Sequence, residues 1–149
     1  MKAITIMQPW AKLIVLGAKA IETKTWTTTY RGPLLIHANS TNRFAIQLSG
    51  NSFVKNLVGH RNGLYYGHII GSVHLDNILE IDMKEYLAEK RHSNLLSSLP
   101  PDPAMEMVPV NYTGKLYTWL LSNPQEFKTP VEAKGKIKLW DFDFNDQPF

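Results

Sequence analysis

Gly17-Ala18-Lys19-Ala20-Ile21-Glu22-Thr23-Lys24-Thr25-Trp26-Thr27-Thr28-Thr29-Tyr30-Arg31-Gly32 begins with a glycine suited to end a helix, runs through β-forming residues, and closes on an Arg-Gly turn. Glu22 is the only acidic residue among the first 75. A lone carboxylate among cations suggests a built site. On an extended strand Glu22 and Lys24 share a face while Lys19 lies on the other, so one face carries a charge pair. A solvated strand with an incidental ion pair has the same pattern, and such pairs are weak.

Upstream, residues 2–7 alternate as a strand. Gln8-Pro9-Trp10 then leads into an apolar helical run, Leu13, Ile14 and Leu16, closed by Gly17. Downstream, residues 33–38 read as a buried strand. Residues 39–48 read as a helix capped by Ser40 or Thr41, with Phe44, Ile46 and Leu48 among its apolar positions. The polar, Gly-containing stretch 50–67 predicts a surface loop. Residues 68–81 predict a long strand bent at Gly71, suited to a barrel stave. A short amphipathic helix is expected over 83–92, and an exposed proline-rich connection over 97–109. Two late strands, 115–121 and 137–142, are expected with Asn123-Pro124-Gln125 turning between them. Short strands with interspersed helices indicate an α+β fold, a small mixed β-barrel with the first helix at one end.

At 149 residues the chain suits one domain over 1–149. Its 44% hydrophobic and 19% charged residues are those of a globular protein. No apolar run approaches the ~18 residues of a membrane helix, so no membrane association is expected. The opening residues resemble a strand more than a signal peptide, which makes the cytoplasm the default location. With no cysteine, disulfides, Cys-based zinc sites and thiol nucleophiles are excluded. Residues 1–75 carry eight Lys or Arg against one acid, and 76–149 carry eight against twelve, so the halves are +7 and −4. Such asymmetry points to a polyanion partner, nucleic acid first.

Lys19 follows the helix end, where backbone carbonyls and the helix dipole favour a cation. In a cleft the same ammonium grips phosphate as a point charge, or acts as a base or nucleophile when desolvated. Glu22 can accept hydrogen bonds from base amino groups, repel misplaced phosphate, or serve as a general base toward water. Trp26, Tyr30 and Arg31, with Trp10 nearby, place aromatics beside cations, as in single-strand and flipped-base recognition. Core packing is the competing role, and the stronger one for Trp10 on its apolar helix. Arg31 at a turn can hold phosphate bidentately, whereas pairing with Glu22 would make it structural. The five histidines lack metal-binding spacing, and His37 and His74 each stand alone in a strand. Gly-x-Ser-x-Gly, P-loop and Gly-x-Gly-x-x-Gly patterns are absent. Neither a metal site nor a cofactor is expected.

In these residues the chain resembles the ASCH domain family of the PUA-like superfamily. Gln8-Pro9-Trp10-Ala11 with Leu13-Ile14 resembles the family's opening. Gly17-x-Lys19-x-x-Glu22-x-Lys24 resembles its Gly-x-Lys-x-x-Glu-x-Arg signature, and Trp26-x-Thr28-x-Tyr30-Arg31-Gly32 followed by Leu-Ile-His-Ala resembles its next strand. Gly67-x-x-Ile70-Gly71-x-Val73, Asn123-Pro124-Gln125 and Lys138-Leu139-Trp140 extend the similarity over most of the chain. The resemblance implies a PUA-like β-barrel with flanking helices, its signature in a cleft that recognises RNA, DNA or a modified nucleoside. Lys24 replaces the usual Arg, keeping the charge and losing the planar fork. A branch resembling N4-acetylcytidine amidohydrolase uses a Lys, a Thr three residues later and a distant Glu. Only the lysine carries over, to Lys19. Glu22 stands at the threonine position, and Glu80, Glu85 and Glu89 compete for the distant one.

The first expectation is a nucleic-acid or nucleotide binder, with Lys19, Lys24 and Arg31 on phosphate, Glu22 on a base edge, and Trp26 or Tyr30 stacking. The alternative is a hydrolase of a modified nucleoside or of RNA, with Lys19 activated by burial and Glu22 as base. A protein-interaction module built on the acidic second half is the third.

Overall fold

Alternation along the central strands sends apolar side chains to both faces of one sheet. The computed structural model describes residues 1–42, 63–82, 84 and 114–146. The elements are β1 (Lys2–Ile6), α1 (Trp10–Val15), β2 (Ile21–Lys24), β3 (Gly32–Ala38), β4 (His68–Asp82), β5 (Lys115–Glu132), β6 (Leu139–Asp141) and a terminal 3-10 turn (Phe144–Asp146). The strand order is β2-β5-β4-β3-β1-β6, with β1 parallel to β3 and the other pairs antiparallel.

Ile4 and Ile6 of β1 and Leu34, Ile36 and Ala38 of β3 join the buried face of α1, where Trp10, Ala11, Ile14 and Val15 complete a core with Val73, Leu75, Trp119 and Leu121. The intervening Ala3 and Leu35 face the other way, against Ile69, Trp140 and Phe142. Burial on both faces explains why β3 reads as an unbroken apolar run. Trp10, 1% exposed, lies in the core as its apolar helix implied.

Bulges shape the two long strands. The bend expected at Gly71 coincides with a shift of register between Ile69 and Gly71. A Cβ there would stand 2.2 Å from the Gln125 carbonyl oxygen and 2.7 Å from Val15 Cγ1, so bare backbone is what lets α1 and β5 close over β4. The turn expected at Asn123-Pro124-Gln125 does not form, because β5 continues through it to Glu132. Ser72 pairs with Gln125 and His74 with Ser122, leaving one extra residue on β5, and Asn123 takes φ 49°. A bulge needs no ladder hydrogen bond from Pro124, so Asn-Pro marks a bend within the strand.

The expected closed barrel is replaced, among the described strands, by an open sheet ending in β2 and β6, which do not pair with each other. Four- and three-residue edges leave little backbone for closure. Of the flanking helices only α1 falls within the described residues. Residues 39–42 are not helical, with Asn39 Oδ1 accepting the Thr41 backbone N–H at 3.2 Å. The remainder of the helix expected over 39–48, most of the loop 50–67, the helix 83–92 apart from Lys84, and the connection 97–109 lie outside the described residues.

His37 is the polar member of the second core face. Its Nε2–H donates to the Ala133 carbonyl at 2.8 Å, its ring meets Trp140 edge-on at 5.6 Å, and Nδ1 is buried without a hydrogen-bond partner. Burial holds its pKa below 6.5, the bond to Ala133 opposes that, and the charge of His68 adds to it. The folded imidazole therefore binds a proton less readily than the unfolded one. Between the two pKa values the unfolded chain holds more protons, so stability falls as pH drops below about 6.5 and is flat in this contribution above it. Urea midpoints from pH 8 to 5 are expected to decline below 6.5, and His37→Gln is expected to remove that part of the slope.

Candidate functional site

The site begins where α1 ends. The Gly17 N–H donates to the Ile14 carbonyl and the Lys19 N–H to the Leu13 carbonyl, at 3.0 and 3.1 Å, and Gly17 takes φ 79°. That left-handed turn redirects the chain into β2. Pro124 packs over Gly17, its Cγ 3.1 Å from where a Cβ would stand, so the β5 bulge fixes the turn that carries Lys19. The Leu121 N–H then donates to the Ala20 carbonyl at 2.9 Å, and β2 pairs with β5 with Glu22 opposite Trp119 and Lys24 opposite Tyr117.

Glu22 is 2% exposed. The Lys19 ammonium donates to its Oε2 at 2.7 Å and to the Ile21 carbonyl, and Lys24 Nζ lies 3.3 Å from Oε1. Burial pushes the Glu22 carboxyl up. The charges and hydrogen bonds of Lys19 and Lys24 push it down further, and the result lies below the ordinary carboxylate value. Strand alternation placed Lys19 opposite Glu22, whereas it lies beside it. Lys19 precedes β2, so the period of two does not apply to it.

Trp26 is half-buried, its ring edge-on to Trp119 at 4.9 Å. Tyr30, also half-buried, donates its hydroxyl to the Pro33 carbonyl. The Arg31 guanidinium donates to the Thr28 and Tyr30 carbonyls at 2.9 and 2.8 Å, and to Asn77 Oδ1 at 3.4 Å. Arg31 thus braces its own turn and makes no pair with Glu22. The structure gathers Lys19, Glu22 and Lys24, sets Trp26 on the neighbouring core wall, and leaves Tyr30 and Arg31 beside β3, separated in the sheet from β2 by β4 and β5.

A shallow hollow of about 60 Å³ runs along Gly17, Lys19, Ala20, Leu121, Ser122 and Pro124. Ser122 was not singled out by any motif. Its hydroxyl donates to Asp76 Oδ1 at 2.8 Å, and the same oxygen meets His74 Nδ1 at 2.6 Å. The carboxylate stands between hydroxyl and imidazole, which is not the nucleophile-base-acid order of hydrolytic triads. These hydrogen bonds, His74's first, hold the Asp76 carboxyl below its ordinary value. Glu80, one candidate for the distant catalytic Glu, is exposed and pairs with Lys115, while Glu85 and Glu89 lie outside the described residues. Counting charge by halves also hid a cationic stretch leading into β6, where Lys134, Lys136 and Lys138 are all exposed.

The sequence model of the ASCH domain matches residues 4–131. Activating signal cointegrator 1 of Homo sapiens and that of Mus musculus are each 26% identical to this chain over 145 residues, covering 94% of it. The chain spans 22% of the length of these relatives. Among solved structures, ASCH from Zymomonas mobilis matches with a TM-score of 0.62 at 15% identity, over 97% of this chain and 88% of that one. A point variant of the same protein matches with a TM-score of 0.61 at 15% identity, over 96% and 90%. At such identity the likeness is one of fold. Among the described residues no helix is long and apolar enough to cross a membrane.

Proposed function

The chain belongs to the ASCH domain family, and we propose that it binds single-stranded RNA, with DNA or a nucleotide as related ligands, in the cleft around Lys19, Glu22 and Lys24. The family is linked to RNA binding. The observation that carries the proposal is the buried carboxylate clasped by two ammonium groups. One negative and two positive charges leave a surplus cation, and the carboxylate fixes where both cations stand. Preorganised ammonium groups lose less freedom on meeting a phosphate than free surface lysines do. Burial gives Glu22 a positioning role in place of reading a base edge. Trp26 supplies an aromatic wall next to the cations, the pairing that favours unstacked bases. Arg31, committed to its own carbonyls, contributes charge at a distance.

Lys19→Ala and Lys24→Ala are each expected to weaken binding of a short single-stranded RNA in fluorescence anisotropy. Each is also expected to flatten the dependence of log K on log salt by about 0.7. Unchanged affinity and slope in both variants would remove these lysines from the interface. The hydrolase alternative would use the hollow that Lys19 and Ser122 share, and it requires RNA cleaved by the wild type and recovered intact from Lys19→Ala.

A further inference from the structure

Gln8 precedes α1 as Lys19 follows it, and it opens onto a second, larger hollow of about 130 Å³ that the motif does not include. We propose that this hollow is a subsite for one nucleobase, stacked on Tyr65 with its hydrogen-bonding edge toward Lys12 and Glu126. The ligand class rests on the nucleic-acid reading above, while the residues are separate from Lys19, Glu22 and Lys24.

The floor is built. The Gln8 side chain, 1% exposed, donates from Nε2 to the Tyr65 carbonyl at 2.8 Å and accepts the Lys12 backbone N–H on Oε1 at 3.0 Å. One buried amide thereby ties the Tyr65 backbone to the first turn of α1. Tyr65 is 45% exposed, and its ring meets His68 edge-on at 5.4 Å. An exposed aromatic residue lining a hollow can serve as a stacking platform. Phe127 adds apolar lining.

The wall supplies polarity of a particular kind. Lys12 and Glu126, both lining the hollow, form an ion pair, Lys12 mostly covered and Glu126 partly open. An ammonium has three donors and a carboxylate about four acceptor sites, so each keeps capacity beyond the pair. Donor and acceptor side by side match the Watson–Crick edges of unpaired bases, which present both together. An aliphatic ligand would leave that polarity unused. Lys128 lies on the lining as a third charge, giving two cations to one anion.

The test is a titration of ¹⁵N-labelled protein with AMP, CMP, GMP, UMP and a short single-stranded RNA, with ribose 5-phosphate as the base-less control. The Gln8 side-chain amide and the Tyr65 backbone N–H are expected to shift saturably with RNA and with at least one nucleotide, and not with ribose 5-phosphate. Tyr65→Ala is expected to weaken that binding about tenfold, and Tyr65→Phe to retain it. Absence of saturable shifts with all nucleotides and RNA, or equal shifts with ribose 5-phosphate, would overturn the subsite. Shifts at Gln8 with none at Lys19 to Lys24 would support the subsite and defeat the cleft, and the reverse pattern would do the opposite.

Discussion

Glu22→Ala is expected to destabilise the fold by about 3 kcal/mol, read as a lower urea midpoint at unchanged m. The carboxylate is 2% exposed and holds two ammonium groups, so its removal leaves two partly covered cations facing each other without an anion. Their side chains are 18% and 19% exposed, close enough to water for the heads to turn outward. That relief places the cost toward the lower end of the range for broken buried pairs. The pH dependence has a definite sign. The folded carboxyl has a lower pKa than the unfolded one, for which 4.5 is the reference. The folded state thus holds fewer protons in that window, and its stabilisation is complete above about pH 4.5 and lost as pH falls through the folded value. Glu22→Ala is expected to lack this acid limb. A loss under 0.5 kcal/mol would reduce the cluster to a surface ion pair.

Gly71→Ala is expected to cost about 3 kcal/mol, the upper part of the overpacking range. The added methyl would lie 2.2 Å from a backbone oxygen of β5, which cannot rotate away, and 2.7 Å from the Val15 methyl of α1. The few tenths of a kcal/mol gained from a less flexible unfolded chain do not offset this. For a chain of this size a thermal midpoint lower by about 10 °C follows. The affected contact also seats α1 against the bulge that carries Pro124 and, through Gly17, Lys19. Gly71→Ala is therefore expected to weaken RNA binding in the protein that remains folded. A midpoint lowered by less than about 3 °C would mean that helix and bulge separate easily.

The strands β1, β3 and β4 and the helix α1 were legible because their apolar patterns are local, and β2 because its residues favour strand. Asn123-Pro124 was misread because the residues that turn a chain also bulge a strand, and only the partner β4 distinguishes the two. Closure of the barrel was not legible either, since it depends on whether two short edges meet. At the site, the Glu22–Lys24 pair followed from the strand period, while Lys19 joined it through a turn that the period does not describe. For Arg31, nothing local reveals that its Nη1 donates to the Thr28 and Tyr30 carbonyls. The Gln8 hollow escaped notice because Lys12 and Glu126, its polar wall, are 114 residues apart.

The most direct test of the proposed function is a salt series of anisotropy titrations of the wild-type protein with single-stranded RNA, single-stranded DNA and duplex DNA, each oligonucleotide recovered and checked for integrity. Two phosphates held by Lys19 and Lys24 should give single-stranded RNA a slope of log K against log salt near −1.4, at about −0.7 per contact, with the strand intact. Absence of RNA binding at low salt, or binding with no salt dependence, would contradict the proposed interface.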